Sequence, residues 1–108
     1  MTVEDIFINA ARLFKICKLI DNCGNIRIVE PYMVYTSATG KRLFHCYQLE
    51  GYSTSKQVPG WKNPEVSSFV SAIILEQSFS QRPEYNPFNM KMFPKVHFAL
   101  PTYDGRQR

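Results

Sequence analysis

Asn25–Tyr35 reads NIRIVEPYMVY, and Phe44–Tyr52 reads FHCYQLEGY. Both alternate with a period of two, the first rich in β-branched and aromatic residues and the second in aromatic ones, and a proline or glycine punctuates each, so both read as strands. Yet an arginine, a glutamate and several tyrosines stand inside them, where burial favours purely apolar side chains. In the first, Ile26 and Ile28 alternate with Arg27 and Val29 until Glu30 and Pro31 break the period. Pro31 lacks a backbone donor, so it halts or bulges the ladder before Tyr32–Thr36 carries the strand on. In the second, Leu43, His45, Tyr47 and Leu49 share one face, and Phe44, Cys46 and Gln48 the other.

The neighbouring segments extend this pattern. Ser37–Lys41 is a polar turn joining the two strands. Upstream, Phe14–Ile20 alternates like another strand, and Asp21–Asn25 supplies a turn in which Gly24 can take positive φ. Before it, Ile6, Ala10, Leu13 and Phe14 recur at spacings of three and four, which predicts a helix from Val3 to about Phe14. Thr2 and Asp5 are placed to cap its start. Downstream, Gly51–Trp61 reads as a loop in which Pro59-Gly60 favours a type II turn with the glycine at positive φ. Trp61-Lys62 resumes the sheet briefly, and Asn63-Pro64-Glu65 opens a short helical turn with Pro64 as its first residue. Ser71–Gln77 is a further strand and Lys95–Leu100 a last one. One helix followed by four or five short antiparallel strands predicts a mainly β domain: a small curled sheet or partly open barrel plugged by the helix.

A chain of 108 residues has room for one domain and one modest core, and 44% hydrophobic against 20% charged residues is a folded composition. No apolar run is long enough to cross a membrane, and Glu4 and Asp5 stand where a signal peptide would carry positive charge, so a soluble cytoplasmic protein is expected. Cys17, Cys23 and Cys46 are odd in number and lack C-x-x-C spacing. Cys17 and Cys46 read as core thiols, Cys23 as a turn residue, and no metal or other cofactor is expected. The net charge of +4 comes from dispersed lysines and arginines, so it permits an anionic partner without requiring one. Chance pairings of His45 or His97 with acids or cysteines lack any nucleophile elbow, phosphate loop or metal-binding helix, and a non-enzyme is expected.

The landmarks in order resemble the WYL domain, a small SH3-like (Sm-like) barrel of bacterial and phage transcriptional regulators. They are Ala10 and Ala11 in the helix, the strand ending at Ile20, the turn DNCGN, the arginine in RIVEPY, the turn TSATGK, the strand LFHCYQLEGY, and SAIILEQSF. The stretch RIVEPYMVY is the most specific of them. Where the family's eponymous triplet falls, this chain has Arg42-Leu43-Phe44, and NPEVSSFVS carries no arginine where the family tends to place one. The resemblance implies a barrel over residues 1–82 and a C-terminal extension over 83–108 that packs on the barrel or on a partner subunit. It also implies a regulatory sensor whose groove takes a nucleic acid or a small anionic, nucleotide-like ligand, with an attached or separate helix-turn-helix DNA-binding domain. Arg27 maps to the ligand-facing arginine, and His45 and Tyr47 to the strand that supplies its aromatic partners.

On chemistry alone, Arg27 has a guanidinium fork suited to carboxylate or phosphate, and tyrosines such as Tyr32 offer stacking planes. Arg42, Lys56 and Lys62 complete the expected ligand set, and Ser53, Thr54 and Ser55 add hydroxyls beside Lys56. Two other readings of Arg27 stay open: a solvent-facing side chain, and a structural pair with Glu30 or Glu50. The extension RPEYNPFNMKMF holds Tyr85, Phe88, Met90, Met92 and Phe93, which either wrap their own barrel or cover a second copy. A homodimer is expected, and a non-catalytic assembly module with an unused groove is the alternative.

Overall fold

The computed structural model describes residues 1–54 and 56–108. Helix α1 spans Val3–Arg12, and a full capping box starts it, Thr2 and Asp5 each accepting from the other's backbone N–H. It ends two residues before the periodicity does. Phe14 takes φ 54 and its N–H bonds the Ala11 carbonyl, which turns the chain sharply into the sheet. Such a φ is uncommon for a bulky residue, and contact of the Phe14 ring with Phe79 (5.9 Å) accompanies it.

The strands are β1 (Lys15–Asp21), β2 (Ile26–Thr36), β3 (Arg42–Gly51), β4 (Gly60–Lys62), β5 (Phe69–Ser78) and β6 (Lys95–Ala99). They form one six-stranded antiparallel sheet in the order β4-β3-β2-β1-β5, with β6 also on β2. The sheet does not close into a true barrel; with its single N-terminal helix it has a partly open SH3-like architecture. No helix among the described residues is long and apolar enough to cross a membrane.

β2 runs unbroken through Pro31. That residue lies where one edge of β2 changes neighbour, from β1 (paired at Ile26–Val29) to β6 (paired at Met33–Thr36). At the same place Pro31 pairs with Cys46 and Met33 with His45, leaving Tyr32 as the extra residue of a bulge. One extra residue reverses the parity of every side chain beyond it. Val29 and Val34, five apart, therefore share a core with Phe44, Cys46, Cys17 and Leu19 beneath Phe7 and Ala10 of α1. Phe7 stacks on Phe44 at 4.0 Å. Tyr32, Met33 and Tyr35 join a second core with Tyr85, Phe93 and Leu100.

The C-terminal extension packs on its own chain. Tyr85 and Phe93 are buried, the Tyr85 hydroxyl donates to the Leu100 carbonyl (2.9 Å), and β6 joins the sheet, while Met90 and Met92 remain exposed. Cys17 and Cys46 are buried thiols and Cys23 is exposed. Two local expectations give way. Gly60 opens β4 without positive φ, after a cis Val58–Pro59 peptide, so there is no type II turn there. The helical turn is a 3-10 turn at Val66–Ser68, two residues beyond Pro64.

Gly51 takes φ 105 at the end of β3, and a Cβ there would overlap the Ile26 carbonyl oxygen. Backbone on both sides leaves little to yield. Gly51→Ala is expected to cost about 2 kcal/mol in urea unfolding, the scale of one strained residue held by its surroundings. A variant as stable as the parent would show that the close approach of β2 and β3 relaxes freely.

Candidate functional site

The face of β3 that carries His45 and Tyr47 meets β4 and the irregular segment after β5. Tyr47 pairs with Trp61 across β3 and β4. The indole lies parallel to the His45 ring at 4.8 Å, with Tyr47 and Tyr32 edge-on to it at 5.3 and 4.8 Å. His45 is only 6% exposed. Its Nδ1 lies 2.8 Å from the Asn63 carboxamide oxygen, which also accepts from the Tyr35 hydroxyl (2.9 Å). An oxygen cannot donate, so Nδ1 carries the proton and Nε2 is the acceptor. Burial depresses the imidazole pKa to about 4, the Asn63 contact opposing the shift. The ring is neutral at pH 7.

His45 and Trp61 form part of the lining of a hollow of about 240 Å³ whose other walls come from Glu84, Asn86, Asn89, Met92 and Phe93. Nε2 has no protein partner among the described residues. The carboxamide oxygens of Asn86 and Asn89 already accept from the backbone of Phe88 and Met92 (3.0 and 3.1 Å), so their amide nitrogens are the groups left to donate. Glu84 has neither an ion pair nor a hydrogen bond among the described residues. Among the described residues the basin thus offers two acceptors, two donors and an aromatic and thioether wall, and no cation lines it.

Compared with known proteins, the chain matches no family model, no curated protein and no solved structure.

Beside the basin, Arg82 pins the irregular segment to the sheet. Its guanidinium makes a fork on the buried Glu30, Nε to Oε1 at 2.9 Å and Nη2 to Oε2 at 3.1 Å. It also lies 3.6 Å over the Tyr47 ring. Tyr32 links the two partners, donating its hydroxyl to Glu30 (3.2 Å) and accepting from the Arg82 backbone (2.9 Å). Burial raises the Tyr32 phenol well above its usual range.

The residues singled out in the sequence fall in separate places. His45 and Tyr47 share the basin's face, and Tyr32 is buried beneath it. Arg27 does not join them. It shares the parity of Val29 on the α1 side of the sheet, where its Nη1 donates to Gln48 (3.1 Å) and its guanidinium lies 5.8 Å from the Tyr52 ring. Among the described residues its buried Nε has no partner, and neither Glu30 nor Glu50 pairs with it. Arg42 forms an exposed fork with Glu4 of α1 (2.5 and 2.9 Å). Lys56 is exposed at φ 58 in the loop before β4, and Lys62 lies at the end of β4 next to Trp61. Ser55 lies outside the described residues.

Of the two carboxylates left open as structural partners of Arg27, Glu30 pairs with Arg82 instead. Arg82, Asn63, Glu84, Asn86 and Asn89 carry no sequence signal of their own, because the segments that hold them have no period. Among the described residues no three His, Cys, Asp or Glu side chains gather as metal ligands.

Proposed function

We propose that this chain is a non-catalytic recognition module, a WYL-like regulatory sensor, in which the His45–Trp61 basin seats the base of a nucleotide or of single-stranded nucleic acid. The observation that carries the reading is the imidazole. It is buried, neutral at pH 7 and fixed in one tautomer by Asn63, so it presents an acceptor of set direction at an aromatic wall. Planar bases pair such an acceptor with stacking, and single-stranded recognition uses both. The hollow, about 240 Å³, suits a base more than a whole nucleotide. With no cation among its described lining residues, it favours gripping the base over the phosphate, so the anion would meet residues at the rim. Among the described residues the lining holds no serine, cysteine or lysine nucleophile, which supports recognition over covalent chemistry.

Trp61 is the only tryptophan, so its fluorescence reports on the basin directly. Titration with nucleoside monophosphates and short single-stranded RNA is expected to change the emission and saturate. His45→Gln should weaken binding by about tenfold, the worth of one well-aligned hydrogen bond. A modest dependence on salt is expected, since base contacts carry the affinity. Silence from Trp61 toward every nucleotide and RNA would sink the proposal.

One observation favours the assembly reading. Among the described residues the outer edge of β5 has no strand partner, and Val70 and Ile73 of that strand are exposed. Sedimentation as a homodimer abolished by Val70→Lys, together with an unresponsive Trp61, would support assembly in place of ligand binding.

A further inference from the structure

The polar groups of the basin are of different kinds, and their combination is selective. The Glu84 carboxylate has no partner among the described residues, and a carboxylate accepts two parallel N–H groups at once. His45 Nε2 is a second acceptor, at the buried wall. Asn86 and Asn89 keep amide N–H groups to donate, because their oxygens are engaged by the backbone. A ligand that satisfies all four presents a fork of N–H donors on one edge and acceptors on another, in one plane that can lie against Trp61.

We propose that the basin selects guanine. This rests on the reading of the hollow as a base seat. Guanine presents N1–H and one 2-amino N–H side by side, a match to the Glu84 carboxylate, the other 2-amino N–H for His45 Nε2, and O6 and N7 as acceptors for the asparagine amides. Adenine has one amino group flanked by acceptors, so it cannot make the fork. Uracil has a single N–H between two carbonyls, which would face the carboxylate oxygens. A site that hydrogen-bonds a ligand at several points rejects an analogue lacking one of those groups more strongly than apolar contact alone does; here Glu84, Asn86 and Asn89 stand at the exposed rim and His45 at the buried wall.

The test is a Trp61 fluorescence titration of the full chain with guanosine, inosine, adenosine and uridine monophosphates, and with methylguanidine. Inosine differs from guanosine only in lacking the 2-amino group. Guanosine monophosphate is expected to bind at least about tenfold tighter than the inosine form, the difference made by one charge-assisted hydrogen bond. Glu84→Gln should bring guanosine down to the inosine level, with circular dichroism confirming an intact fold. If guanosine and inosine bind equally while adenosine also binds, guanine selection is overturned and the base seat stands. If no nucleotide binds, both fall. Tighter binding of methylguanidine than of the guanosine form would assign the fork to a guanidinium group and overturn the proposal.

Discussion

Arg82→Ala is expected to lower the free energy of unfolding by about 3 kcal/mol, the low end for breaking a buried ion pair, because the arginine side chain is 33% exposed. The loss falls on Glu30. Its side chain is only 8% exposed, and without the guanidinium its two oxygens retain only the Tyr32 hydroxyl. A double-mutant cycle separates this from lost packing on Tyr47: Arg82→Ala should cost much less in a Glu30→Gln background, where no buried charge is stranded. Arg82→Lys should lie between, since an ammonium keeps the charge but not the two-pronged geometry. Urea unfolding of the five proteins, the parent and four variants, measures all three values. A loss within about 0.5 kcal/mol for Arg82→Ala would make the pair an ordinary surface contact.

The same substitution reaches the candidate site. Arg82 stands two residues before Glu84, and the segment it pins supplies five of the seven described residues that line the basin. Nothing in that segment forms a helix or strand until β6, so its position depends on particular ties. Those ties are the Arg82 fork, the Tyr85 hydroxyl on Leu100, Gln81 on the Pro101 carbonyl and Arg108 on the Pro87 carbonyl. Releasing the first should loosen one wall of the basin while the α1 core, on the other face of the sheet, persists.

This division explains how much of the molecule could be read from its sequence. The helix, its capping box and the strands announce themselves through periods of 3.6 and two, because in each of them a repeating geometry meets a single buried face. The alternation of β3 even sorted His45 and Tyr47 from Phe44 and Cys46 correctly. What defeats a periodic reading is the bulge at Tyr32. Before it Arg27 belongs with Val29 and the helix; after it Val34 does, and the register has turned over. Grouping Arg27 with the aromatic face of β3 assumed adjacency along the chain where the fold places opposite sides of a sheet. The basin was hidden for a different reason. Five of its walls come from a stretch whose conformation follows from asparagine-to-backbone bonds and buried rings, neither of which repeats. The aromatic and methionine content of RPEYNPFNMKMF said that burial was needed, without saying against which surface.

Lowering the pH from 7 to 4 is expected to remove about 3 kcal/mol of stability through His45 alone, the equivalent of moving its pKa from 6.5 to about 4. The direction follows from which state takes up the proton first. In the unfolded chain the imidazole protonates near 6.5, while in the folded protein burial holds it neutral until about 4. Between those values the unfolded state binds more protons, so stability rises with pH across the window. It is fully present above 6.5 and lost as the pH falls through 4. The ring cannot escape the penalty by turning outward, because Nδ1 is held by Asn63 and both faces lie among Trp61, Phe93 and Tyr85. His97 also has a lowered pKa, from burial and from Arg42 and Lys95, but it is exposed beside Thr36 and its share is small. His97→Gln serves as the control. Urea unfolding at pH 7, 5.5 and 4 should give a steep loss for the parent and for His97→Gln, and a much shallower one for His45→Gln, whose side chain does not titrate. Equal slopes in all three would mean that His45 is solvated in solution, and the fixed acceptor on which the base seat depends would be lost with it.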